Sequence, residues 1–248
     1  RNEAKPAGLA TRLLAALPGI RSDKPANAAV KAQPSAKPGG VATQPGVRTR
    51  LVGVVSREWK FFGGAAWRYK LPSTGRARLE HEPGYRERVQ HYWKSALRRD
   101  VRDTRRIGWS GAFISFVMKE AGAQKGFPYS GTHTTYIARA IQNRKKGLTN
   151  ATIVGYRPGE YAPEPGDMIC NSLTSGIDYD NIGRRYSAHC DIVVKRGFRH
   201  VEVIGGNLTN SVRKRVLLTD EAGHVFTKQP RRIDPYVKRW FVIIKVNM

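Results

Sequence analysis

From Arg106 to Gly122 the chain reads RIGWSGAFISFVMKEAG, and the reading of this stretch decides the fold. Ala112, Phe113, Phe116 and Val117 recur at helical spacing, so one face turns inward and Gly122 stands at the C-terminal end. The helix opens on Trp109-Ser110-Gly111. A side chain placed at such an N-terminus meets free backbone N–H groups and the positive end of the helix dipole, both of which favour a developing anion. The position therefore suits a nucleophile. Indole has no group fit to attack a carbonyl, whereas the neighbouring hydroxyl does.

Working outward, the same 3.6-residue period appears on both sides. LVGVVSREWKFFGG puts Leu51, Val54, Val55, Trp59 and Phe62 on one face, stopped by Gly63-Gly64. A second helix begins after Pro83, with Tyr85, Val89, Tyr92, Trp93 and Leu97 toward a core, and YSGTHTTYIARAIQNRKKG predicts another after the central one. Beyond Thr149 the period falls to two. GDMIC, HCDIVVKRG, VEVIGG, VRKRVLL and WFVIIKV are short β-branched runs punctuated by Gly, Asn and Pro. Helices first and strands after predict an α+β domain, with helices packed on one face of an antiparallel sheet. The long connection Asn171–Ala188 over a sheet end is a natural place for function.

Residues 1–48 are different in kind. Their Ala, Pro, Gly and Lys content cannot bury a core, so they read as a basic arm or linker attaching residues 49–248 to a larger assembly. The opening RNEAKPAGLATRLLAALPGI is not expected to act as a secretory signal, since Arg12 and Pro18 break its apolar part. No apolar run approaches the length of a membrane span. Across 248 residues, 44 Lys and Arg face 19 acids, a formal charge of +25. That balance predicts attraction to polyanions such as an anionic cell envelope or nucleic acid. No RNA-binding aromatic motif and no zinc-finger spacing appears, which disfavours dedicated nucleic-acid recognition. Two cysteines are too few for a disulfide framework.

Reactive side chains gather in GWSGAF (108–113), PEPGDMIC (163–170), SAHCDIVV (187–194) and VIGGNLTNSV (203–212). Their order, helix start, strand, strand, strand end, resembles the papain-like cell-wall hydrolases of the NlpC and CHAP groups. The wording EWKFFGG, WSGAFISFVM, HTTYI, PGDMIC, HCDIVV and GGN is more similar still to the bacterial domain of unknown function 2272, over about residues 50–246. The resemblance implies a papain-like fold and hydrolysis of peptidoglycan, by a protein of bacterial or phage origin that is secreted, periplasmic or virion-associated. It places His189 as the base and Asn207 as the residue that orients it, and Gly166-Asp167 as the turn into the first strand. Trp109 stands where the papain-like pattern has cysteine.

Three assignments follow for the nucleophile. Ser110 serves if the helix start is rotated, or else it is an ordinary helix cap. Cys170 serves if the 166–170 and 189–194 runs pair as antiparallel neighbours, bringing the end of the first near His189. Or there is no nucleophile, and the domain is a binding or structural module. Strand alternation turns Cys190 away from His189 and Asp191, into the core or into a bridge with Cys170. Asp191 shares the His189 face and can pair with it or hold a substrate amine. His133 is a further candidate beside the substrate, or a cap on its own helix. Trp109 is expected to pack beside the site and shape its wall, and Asp167 to border it. No familiar metal-ligand spacing appears, and no cofactor is expected.

Overall fold

Helix α1 (Val47–Phe61) buries Leu51, Val54 and Val55, and α2 (Tyr85–Leu97) buries Val89, Tyr92 and Trp93. Both show the faces read from their spacing. The computed structural model describes residues 46–66, 74–123, 126–183, 185–231 and 239–248. The arm expected over residues 1–48 lies, up to residue 45, outside the described residues. Val47 and Arg48, which composition assigned to that arm, instead open α1. Helix α3 (Ser110–Glu120) is apolar all round and buried from Gly111 to Met118, whereas α4 (His133–Lys145) buries one face through Tyr136, Ile137, Ala140 and Ile141.

Among the described residues six antiparallel strands follow: β1 (Ile153–Tyr156), β2 (Met168–Ser172), β3 (Ala188–Gly197), β4 (His200–Gly205), β5 (Arg213–Leu218) and β6 (Arg239–Val246). They lie in the order β1-β6-β2-β3-β4-β5. The domain is α+β, as read. Strand β1 escaped the period-two reading because it has four residues and contains Gly155. That glycine is required by packing: a Cβ there would come within 2.9 Å of the backbone nitrogen of Ile141 on α4.

The apolar residues form two layers. The larger joins all four helices to one set of strand positions, including Met168, Cys170, Cys190, Ile192, Ile204, Val242 and Ile244. The alternate positions Ile169, Val193, Val203, Leu217, Trp240 and Ile243 build a second cluster to which, among the described residues, no helix contributes. Helices thus cover one face.

Two glycines bring α3 against the segment that leads into α4. A methyl at Gly111 would collide with the carbonyl of Gly131, and one at Gly131 would meet the Trp93 ring within 2.6 Å. The approach is fixed by Ser115, whose hydroxyl donates to the carbonyl of Ser130 (2.8 Å) and accepts from its N–H (3.0 Å). As a result the N-termini of α3 and α4 arrive side by side.

Candidate functional site

Ser110 is the first residue of α3 and His133 the first of α4. Ser110 Oγ lies 2.7 Å from His133 Nε2. The other ring nitrogen, Nδ1, is hydrogen-bonded to the Tyr136 hydroxyl. The i, i+3 spacing within HTTY puts both side chains on one helical face. His133 is only 4 % exposed. Burial first, and the neighbouring His189 second, push its imidazole well below the ordinary histidine value, with Asp191 pulling the other way. It is therefore neutral near pH 7, the form that accepts a proton. Burial, reinforced by Asp191, pushes the Tyr136 phenol well above its ordinary range, so it keeps its proton.

A second chain of polar groups abuts the first. The His133 and His189 ring centroids are 5.1 Å apart, at an interplanar angle of 51°. His189 Nε2 lies 2.9 Å from Asp191 Oδ1, and Arg215 Nε donates to Asp191 Oδ2 at 3.1 Å. Asp191 is fully buried. Burial opposes its charge, but Arg215 and His189 hold the carboxyl well below the usual carboxylate range. Gly205 makes room, since any Cβ there would run into the Asp191 carboxylate and come within 3.0 Å of His189 Nε2.

Several expected roles change. Cys170 is not a thiol: it is joined to Cys190 in a disulfide, with Cα atoms 4.1 Å apart. The antiparallel pairing of the two runs is as read, but its register sets Cys170 opposite Cys190 and Asn171 opposite His189. Alternation then turns Cys170 to the side away from His189. Both sulfurs are buried. The unreduced protein, once denatured, is accordingly expected to take up no iodoacetamide; one label per chain or more refutes the bridge.

Asn207 follows β4 in a left-handed conformation (φ 58°), and His189 Nε2 donates to Asp191 Oδ1. Asp191 thus holds the His189 ring. Trp109 is fully buried against Phe62, Tyr92 and Phe113, with its indole N–H donated to Glu80. It supports the wall from behind and has no surface left to touch a substrate. Asp167, also fully buried, pairs with Arg48 at 2.9 Å and accepts from Tyr161 (2.9 Å) and from the N–H of Val246 (3.0 Å). Burial pushes its carboxyl up despite these partners. It ties α1 to β2 and β6 and does not border the site.

These contacts run from α2 through α3 and α4 to β6, within a single sequence pattern. The family described as "Uncharacterized protein conserved in bacteria (DUF2272)" matches residues 80–246. The chain belongs to that family. No curated protein and no solved structure matches. The DUF2272 match takes in Glu80, Ser110, His133 and the whole sheet, and leaves out α1, whose Arg48 nevertheless completes the Asp167 cluster.

Three residues at or beside the candidate site were not singled out in the sequence. Tyr136 had a signal, the i, i+3 step from His133. Arg215 had none, because its position in a basic run says nothing about which strand it faces. Asn171 is fully buried, and its side-chain nitrogen and oxygen have no hydrogen-bond partner among the described residues. Among the described residues, no three His, Cys, Asp or Glu side chains converge to hold a metal. No helix among them is long and apolar enough to cross a membrane.

Proposed function

We propose that the DUF2272 domain is a serine-dependent amide hydrolase acting on bacterial cell-wall peptide. The single observation that carries this reading is the 2.7 Å contact between Ser110 Oγ and His133 Nε2 at a helix N-terminus. In the tautomer with its proton on Nδ1, directed at the Tyr136 oxygen, His133 Nε2 accepts the Ser110 proton as Oγ attacks the carbonyl carbon. The developing oxyanion is met by first-turn N–H groups of α3, which have no intrahelical acceptor. His133 then gives the proton to the leaving amine nitrogen as the C–N bond breaks. Water, deprotonated by the same imidazole, releases the acyl group. Asp191 lies close enough to favour the imidazolium formed in each step.

The papain-like plan supports the reading: a nucleophile on a helix start, a His opening the strand after a Gly-Asp turn, and a positioned carboxylate. The departure from that plan is that His133 stands between Ser110 and His189. The charge of +25 suits retention on an anionic envelope, and the disulfide suits an exported protein. One observation favours the second reading, a non-catalytic module. Trp109, in the place of the papain-like cysteine, is fully buried in the core.

Treatment with a fluorophosphonate decides between them. The hydrolase is expected to gain one covalent adduct, mapped to Ser110, and to release free amino groups from purified peptidoglycan. An unlabelled Ser110 together with unchanged peptidoglycan leaves the binding module standing.

A further inference from the structure

A cleft of about 490 Å³ opens beside the Ser110–His133 pair. Its lining includes Trp93, Leu97, Ile107 and Arg99, together with Gly108 and Thr132. Gly108 lies two residues before Ser110 and Thr132 immediately before His133, so the lining of the cleft includes both segments that lead into the reacting pair. The volume suits a small ligand or one side chain of a larger one. An aromatic and two aliphatic side chains call for an apolar stem.

Arg99 adds a charge requirement. Its guanidinium lies over the Trp93 ring, 5.1 Å from the centroid, and its backbone N–H donates to the carbonyl of Trp93. The guanidinium is thus held against the Trp93 ring that lines the cleft. Nearby acids are engaged elsewhere: Asp100 with Lys94, and Asp103 with Arg105 and Arg106. Among the described residues no carboxylate pairs with Arg99. A guanidinium fixed among apolar lining residues recognises a carboxylate carried on an apolar stem.

We infer that this cleft is the substrate subsite next to the scissile bond, and that it selects a residue whose apolar stem ends in a free carboxylate. The inference rests on the hydrolase reading for the words "scissile bond", but the binding it asserts does not need turnover. Gly108 supplies the means to test it. A Cβ there would meet no atom within 4 Å, and its backbone is not left-handed. A larger side chain at 108 therefore obstructs the cleft without straining the chain.

The test uses the full chain carrying Ser110→Ala, so that hydrolysis plays no part. 4-Phenylbutyrate and its amide, equal in shape and different in charge, are titrated while the Gly108 and Thr132 backbone amides are followed by NMR. The carboxylate is expected to bind about tenfold more tightly, the difference that one charge-assisted hydrogen bond supplies. Arg99→Gln should bring the ratio to about one, and Gly108→Leu should abolish binding of both probes with the melting temperature retained. Equal binding of the two probes, a ratio that survives Arg99→Gln, binding that survives Gly108→Leu, or no binding at all overturns the inference. Carboxylate-selective binding with no fluorophosphonate adduct at Ser110 removes the hydrolase reading and leaves the subsite in place.

Discussion

Ser110→Ala is expected to lower amine release from peptidoglycan by about a thousandfold or more, the scale on which removal of a catalytic serine acts in other hydrolases. The fold should survive, because the substitution removes one half-buried hydroxyl and one hydrogen bond, worth about 1 kcal/mol. His133→Ala should have a comparable effect on rate, since a lone Ser110 has no base within reach. His189→Ala tests the division of labour. The sequence pattern puts the base at His189, whereas the contact at 2.7 Å puts it at His133. If His133 takes the proton, His189→Ala loses only the stabilisation relayed from Asp191 and keeps a measurable rate. Silence in His189→Ala with turnover retained in His133→Ala would return the role to His189 and remove the mechanism given above.

Asp191→Ala should be the most destabilising single change in the site. It strips the partner from Arg215, which is only 7 % exposed, and leaves a buried cation uncompensated, a loss of about 3–5 kcal/mol. Changing both Asp191 and Arg215 to apolar residues of similar volume should recover much of that loss, which separates the unpaired charge from general damage. Denaturant melts at fixed pH measure both. The same groups set the acid response. His133 is depressed in the folded protein, so below its ordinary value of 6.5 the unfolded chain binds a proton that the folded one refuses. Stability is therefore expected to fall as pH drops below 6.5. Asp191 is also depressed, from 3.8, and its contribution is present above that value and lost as pH falls further. His133→Gln should remove the first decline and leave the second. A flat profile between pH 7 and 5 in the wild type contradicts the burial of a neutral imidazole.

The helices were legible because each buries a stripe long enough to show its period, as Leu51-Val54-Val55 and Val89-Tyr92-Trp93 do. Strand pairing was legible as well, and the 166–170 and 189–194 runs are neighbours. The site was legible only in its parts. Nearness along a pair of strands suggested Cys170 beside His189, but the register makes Asn171 the opposed residue, and a shift of one position reverses the face. The joining of Ser110 to His133 depends on Gly111 and Gly131 letting two backbones approach. A sequence shows such glycines without showing what they meet. Trp109 was expected to shape the wall of the site and is instead fully buried, and its pairing with Glu80, 29 residues away, follows from tertiary packing that no local pattern encodes.

The Cys170–Cys190 bridge makes the protein's resilience depend on where it resides. It closes a loop between residues separated by 20 positions, and a loop of that size restricts the unfolded chain by about 3 kcal/mol on a chain-entropy model. A cytosol poised by glutathione withholds that increment, while an oxidising compartment grants it. One polypeptide thus has two stabilities on the two sides of a cell membrane, and the hardier form is the one that has left the cytosol.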